Sequence, residues 1–262
     1  METIDANSDI ETLKNLLLQK ENELQNLPYT GTFITSSDQA KRIGGIDISY
    51  PTNENILPTI GYSIYESSTN KISYSKTKQL KQEESPDLPY IPGFLGHKEA
   101  HIMCPFIENC HEHDLTNHKA DVILVDGNGY LHSRKFGSAC HVFKRLNIPI
   151  IGVAKNLLHV DGVTPSPKDD GFKNRLQEKL VNFGDYFIYS KSDTNEEIVA
   201  VVKTSKSKGC SKPVFVSIGG GIDSLDLAVK IVISCCDFKI PEPIRNADLS
   251  SRELLRKIES QQ

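Results

Sequence analysis

An α/β domain built on a mixed sheet is what these 262 residues predict, and three observations predict it. Three strand-like segments, Arg42 to Tyr50, Leu57 to Tyr65 and Lys71 to Thr77, follow one another with only Asn and Ser clusters between them, as an antiparallel meander does. From Val122 onward the rhythm changes to short apolar strands alternating with helices, the pattern of parallel strands buried on both faces. A hydrophobic fraction of 38% in a chain of this length supplies one sizeable core. The predicted class is therefore α/β: three antiparallel strands followed by parallel β-α-β units, flanked by helices. It forms a single domain over residues 1–262, with residues 1–30 as an N-terminal helical extension packed on it.

Each element has its own warrant. Ser8-Asp9-Ile10-Glu11 is a capping-box pattern opening a helix with apolar residues at 10, 13, 16, 17 and 24, a stripe suited to packing. After the meander, the proline-punctuated loop SPDLPYIPGFLGHKE leads into a helix through the region of His101 to His113. Val122 to Asp126 reads as a strand, Gly137 to Leu146 as a helix and Pro149 to Val153 as the next strand. Pro165 to Lys212 holds a polar helix and two strands, Asp185 to Tyr189 and Ile198 to Val202. A strand from Val214 to Ile218 and an amphipathic helix from Ser224 to Cys235 follow, and the helix residues Ile231, Val232 and Ile233 read as core.

Composition excludes several classes. The longest apolar runs, Leu16–Leu18, Val122–Val125 and Ile198–Val202, fall far short of the roughly 18 residues of a membrane span. The opening METIDANSDIE is acidic where a secretory signal is basic. The six cysteines, two of them adjacent at 235 and 236, show no regular spacing and read as reduced thiols. An intracellular, membrane-free protein, monomeric, is expected. Cytoplasm, nucleus and nucleolus stay open because no basic localisation cluster stands out. The formal charge of −4 does not advertise nucleic acid, but its distribution is uneven. No acid occurs between Asp126 and Asp161 while Arg134, Lys135, Lys144, Arg145 and Lys155 do, and Lys203, Lys206, Lys208 and Lys212 form a second basic run. Such patches are either phosphate-binding surfaces or ordinary solvated loops.

The chemistry concentrates in two places. Asp47 sits in RIGGIDISY, on the strand face shared by Gly45 and Ser49, and Asp126 ends the apolar run VILV. Open α/β sheets place their ligand crevice beyond such strand ends. If the two strands are neighbours, two carboxylates converge, which is costly unless a cation intervenes, and Asp oxygens suit Mg²⁺ or Mn²⁺. Patterning alone leaves equally open two strand-end aspartates bonded to loop amides. Gly127 and Gly129, directly after Asp126, either let a flat base lie against bare backbone or simply make a tight turn. A further cluster, Cys104, Cys110, His111 and His113, cannot aim all its side chains at one ion from one short helical stretch, and structural zinc is set aside.

GGIDISY, PYIPGFLGHKE, VDGNGYLHSRKFGSACH, IPIIGVAK and IPEPIRNADLSSRE occur in this order from about residue 10 to residue 258. Together they resemble the endonuclease V family, inosine-directed nucleases with a ribonuclease-H-like fold. The resemblance implies that Asp47 and Asp126 are core metal-binding aspartates. It implies that Glu99 assists the metal or its water, and that Asp248 lies near the metal. Lys155 corresponds to a lysine beside the scissile phosphate. Tyr90 corresponds to a wedge filling the gap left by an extruded base, and Pro92, Gly93, Leu95, Gly127 and His132 to the substrate-binding region. Without the resemblance, PYIP reads as a structural loop and Lys155 as a surface lysine. The implied cofactor is Mg²⁺, with Mn²⁺ as a substitute. The implied partner is inosine-containing RNA or deoxyinosine-containing DNA, cut 3′ to inosine to leave 5′-phosphate and 3′-hydroxyl ends. The DGNG and IPEPIRNAD forms look closer to animal members and tilt the substrate towards single-stranded RNA.

Two departures stand out. Where the family commonly has Ser-x-Gly-His, this chain reads SIGGGIDSLDLAV, with Gly220 near the expected histidine and one extra residue. The three glycines before a helix offer backbone amides that could still cradle phosphate. His97 stands where a phenylalanine is usual. Two other functions compete with cleavage: an inosine-binding module that does not cut, against which four intact acids argue, and a phosphate-binding protein built on the GGGIDS turn.

Overall fold

The structure is a computed structural model that describes residues 10–166, 168–206 and 212–261. Among these residues eight strands form one sheet in the order β3-β2-β1-β4-β5-β8-β7-β6. The strands are β1 (Arg42–Ser49), β2 (Thr59–Glu66), β3 (Lys71–Gln79), β4 (Val122–Val125), β5 (Ile150–Ala154), β6 (Tyr186–Ser190), β7 (Glu197–Val202) and β8 (Val214–Gly220). The helices are α1 (Ile10–Gln25), α2 (Leu95–Asn109), α3 (Ser138–Leu146), α4 (Asp170–Lys179), α5 (Leu225–Ser234) and α6 (Glu242–Glu259).

The meander is as expected, β1 pairing with β2 and β2 with β3 antiparallel. The parallel units are fewer than expected. Only β1/β4 and β4/β5 are parallel, whereas β8 runs antiparallel to both β5 and β7. The reason lies in the connection. The chain leaving β5 returns through the β6–β7 hairpin, which reverses it, and β8 enters the sheet from the opposite end.

Burial on both faces explains the continuous apolar runs of β4, β5, β7 and β8. One face packs Ile43, Leu124, Val153 and Val216 against α5 and Ile244 of α6, and the other packs Ile46, Ile123 and Val125 against α2 and α3. Phe172 of α4 joins Phe187, Val199 and Phe215 over the far strands. The helix α6 was not anticipated, although Ile244, Ala247, Ser251 and Leu255 are buried at helical spacing and Pro243 occupies its first turn. Within α2, Pro105 is followed by a π turn from Cys110 to Asp114.

The helix α1 keeps a narrower stripe than its apolar pattern suggests. Leu13 and Leu17 are buried with Ile91, whereas Ile10 and Leu16 are exposed. The next position on that stripe is Glu21, only 2% exposed. Arg134 grips it through two hydrogen bonds, Nε to Oε1 at 2.7 Å and NH2 to Oε2 at 2.8 Å. The capping-box residues Ser8 and Asp9 lie outside the described residues, as do Lys208 and Cys210. The other five cysteines are free and buried, and no helix among the described residues is long and apolar enough to cross a membrane.

Candidate active site

Register builds the centre. In the parallel pair β1/β4, Ile46 lies opposite Val125, so the next residues, Asp47 near the end of β1 and Asp126 just past β4, emerge side by side. On the other side of Asp126 is Lys155, the first residue after β5, with Nζ 2.5 Å from Asp126 Oδ2. Asp248 comes from α6, which lies across β1 and β2. Polar bonds fix that helix: Ser49 to Ser251 at 2.8 Å, Thr59 Oγ1 to Ser251 O at 2.9 Å and Ser63 Oγ to Pro243 O at 2.7 Å. Glycines let it approach, because a Cβ on Gly45 would stand 2.2 Å from the Pro243 carbonyl carbon and one on Gly61 would stand 2.4 Å from Ala247 O. Glu99 arrives from α2 on the opposite face, its Oε2 accepting 2.7 Å from Ser138 Oγ at the start of α3.

Electrostatics show a surplus of negative charge. Burial, then Asp126 and Asp248, push the Asp47 carboxyl up to about 8, against the opposing pull of Lys155. Burial also lifts Glu99 to about 7, with Asp126 adding to it and Ser138 opposing. Burial would discharge Lys155, but Asp126, Asp47 and Asp248 more than offset it and keep the ammonium charged. Arg252 Nε lies 2.7 Å from Asp248 Oδ1. That contact is not aligned as a hydrogen bond, so this buried oxygen has no hydrogen-bond partner. Four carboxylates, two of them pushed towards their protonated forms by burial and then by neighbouring acids, fit a small divalent cation.

A cleft of about 490 Å³ opens over these acids, lined by Asp47, Tyr50, Tyr90, Leu95, Lys98, Glu99 and Asp126 among others. Tyr90 is 74% exposed, a ring standing free at its edge. Pro92, Gly93, Gly127 and His132 do not line this cleft. His132 is buried beside the Gly93 loop, its Nδ1 accepting from Arg134 N at 3.4 Å, and burial lowers its pKa. Gly129 answers to packing, since a Cβ there would meet Ile218 O at 2.1 Å, whereas Gly127 has open space up to Ser138 at 3.4 Å. Two cleft residues escaped notice in the sequence, Tyr50 and Lys98. Burial, then Glu99 and Asp47, keep the Tyr50 phenol protonated, and Lys98 Nζ donates to Leu88 O at 3.2 Å. The available signal for Tyr50 was an aromatic directly after the strand that carries Asp47.

Several basic residues are spent internally. Arg134 is held by Glu21, Lys135 by Glu196, Lys144 by Leu27 O and Lys206 by Asp237. The GGGIDS turn is no phosphate cradle either, because Gly219, Gly220 and Gly221 are buried. Gly220 has φ +154°, and a Cβ there would stand 2.3 Å from the Phe143 ring, so a histidine at this place has no room. The extra residue is absorbed as a β-bulge, with Ile150 opposite Gly220 and Ile151 opposite Ile218. Among the remaining candidates, His111 bonds the Tyr62 hydroxyl at 2.8 Å inside the core.

A mixed sheet that delivers two carboxylates from adjacent strands, joined by two more acids and a lysine, defines a class: hydrolases of the nuclease type. The endonuclease V family profile matches residues 31–249. Endonuclease V of Mus musculus is 34% identical over 222 residues, covering 83% of this chain and 60% of its own length. The catalytic domain of human endonuclease V superposes with a TM-score of 0.82 at 27% identity, covering 97% of this chain and 99% of that one. Endonuclease V of Ciona intestinalis, crystallised with a 24mer DNA containing an inosine followed by a ribo-adenosine, gives 0.80 at 29% identity, covering 95% and 99%. This chain belongs to the endonuclease V family, and it spans 60% of the length of its mouse relative.

Proposed function

We propose that this protein is a divalent-metal-dependent endonuclease that cleaves the phosphodiester bond 3′ to inosine, leaving 5′-phosphate and 3′-hydroxyl ends. The observation that carries the reading is the side-by-side emergence of Asp47 and Asp126 with Lys155 against them. Asp47, Asp126, Glu99 and Asp248 would hold the ion, Mg²⁺ or Mn²⁺ in its place. Such an ion, when bound, acidifies an attacking water and neutralises charge on the phosphate. Lys155, kept cationic by its acidic neighbours, adds a fixed positive charge where the phosphate oxygens gain negative charge. Glu99 lines the cleft with its Oε2 tied to Ser138, which leaves Oε1 to position the attacking water. Tyr90, mounted between Pro89 and Pro92, serves as the wedge that replaces an extruded base, a step that costs a few kcal/mol and less for an unpaired base. Leu95 lines the cleft, and the family resemblance adds Gly93, Gly127 and His132 beside it as the backing of a base-binding wall.

Single-stranded inosine RNA is the favoured substrate, with deoxyinosine DNA as a second one. The Ciona relative, crystallised with inosine-containing DNA, supports an inosine-directed site. Five buried, free cysteines accord with a reducing, intracellular compartment. The test is cleavage of paired RNA and DNA oligonucleotides, each with one inosine, against guanosine controls with Mg²⁺ present. Cutting confined to inosine strands is expected, and the RNA should be cut faster. Binding of inosine strands without cleavage under Mg²⁺ or Mn²⁺ would overturn the reading.

A further inference from the structure

We propose that Glu21, His97 and His141 form a second metal site, for a transition ion of the Zn²⁺ kind, separate from the carboxylate centre. The three residues come from α1, α2 and α3, and one ligand atom from each lies within 4.8 Å of the others. Glu21 Oε2 is 3.7 Å from His97 Nε2 and 3.8 Å from His141 Nε2. Tetrahedral zinc, with bonds of about 2.0–2.1 Å, sets its ligands roughly 3.4 Å apart, so the two glutamate–imidazole pairs need close by only a few tenths of an ångström. His97 is 6% exposed, yet its Nε2 has no hydrogen-bond partner. A buried imidazole nitrogen with nothing to bind, aimed at a carboxylate, is an open ligand position. Burial also holds His141 down to about 4, so its ring offers a lone pair at neutral pH. Two nitrogens and one oxygen suit Zn²⁺ or Co²⁺, whereas Mg²⁺ prefers oxygen alone.

Arg134 is the competitor. Its guanidinium balances Glu21 in the metal-free protein, and its NH2 also donates to Gly93 O at 2.7 Å. The guanidinium lies over the Phe94 ring as well, 4.2 Å from the centroid. An ion at this site takes Oε2 from Arg134 and leaves the arginine on the Gly93–Phe94 loop beside the cleft. Affinity is therefore set by exchange between a divalent ion and an arginine.

The experiment is a Co²⁺ titration of the full chain in excess Mg²⁺, followed by visible absorption. One Co²⁺ with an intense tetrahedral spectrum, displaced by Zn²⁺, is expected. His97→Phe, which keeps a ring of similar size, should weaken it by at least about 10–100-fold. Arg134→Gln should tighten it by about tenfold or more, the size of one charged hydrogen bond, and this gain does not depend on whether Glu21→Gln folds. Asp126→Asn should leave the spectrum unchanged. Co²⁺ binding that disappears in Asp126→Asn and persists in His97→Phe would overturn the proposal. So would the lack of a tetrahedral spectrum in both the parent protein and Arg134→Gln.

Discussion

Two polar clusters lie within this molecule, and they handle charge in opposite ways. Around Asp47 and Asp126, joined by Asp248 and Glu99 from neighbouring helices, four acids face Lys155 and Arg252, and burial, then repulsion between the acids, lifts Asp47 to about 8 and Glu99 to about 7. At the α1–α2–α3 junction, one carboxylate meets one guanidinium and two buried imidazoles, and the Arg134 hydrogen bonds, with the two imidazoles close by, overcome burial to hold Glu21 well below the usual range. The first cluster opens on a cleft; the second is closed. Like charges left unneutralised beside a cleft mark where a cation and a reaction belong, whereas a balanced buried pair reads first as architecture.

The comparison can be broken by substitution. Asp126→Asn should lower single-turnover cleavage of an inosine strand by roughly 10³-fold or more while binding of that strand persists. Equal loss of binding and cleavage would show that Asp126 holds the fold together instead. Glu21→Gln should do the reverse. Breaking a buried pair costs about 3 kcal/mol when the partner is partly exposed, a fall in Tm of roughly 6–12 °C for a chain of this size. An unchanged melting curve would mean that the Arg134 bonds contribute little.

The pH dependence sharpens the contrast further. Asp47 binds its proton more tightly in the fold, at about 8, than in the unfolded chain at 3.8. Its contribution is therefore fully present below the unfolded value and is lost as pH rises through about 8. Metal-free protein should melt progressively lower between pH 6 and pH 8.5, and Mg²⁺ should flatten that decline. A melting temperature that rises over this window without metal would contradict the assignment. The smallest effect belongs to the cleft edge, where Tyr90→Ala should remove one stacking contact, worth about 1–3 kcal/mol. The measurement is inosine-strand affinity by anisotropy, and an equal loss for guanosine strands would argue against a wedge serving base extrusion.

What could be read from sequence follows the range of each signal. Asp47 and Asp126 were visible because alternation along β1 and the abrupt end of VILV are local patterns. The direction of β8 was not, since periodicity is the same whichever way a strand runs, and the β6–β7 hairpin that reverses the chain lay in the least patterned segment. Asp248 was reached through family resemblance alone. The helix carrying it opens on prolines, and small residues such as Ala247 and Ser251 weaken its apolar stripe. Glu21 escaped because its partners His97, Arg134 and His141 stand far away in the chain, and a single glutamate in an amphipathic helix looks like part of the solvated face.

Gly45 and Gly61 carry a consequence for how this enzyme could be tuned. The helix bearing Asp248 rests on backbone that no side chain covers. A single methyl group at either glycine would lift that helix as a shim lifts a plate, moving Asp248 without replacing any of the four acids. Spacing within the site can thus be varied with its four acids kept, and the lever is a backbone position under the helix.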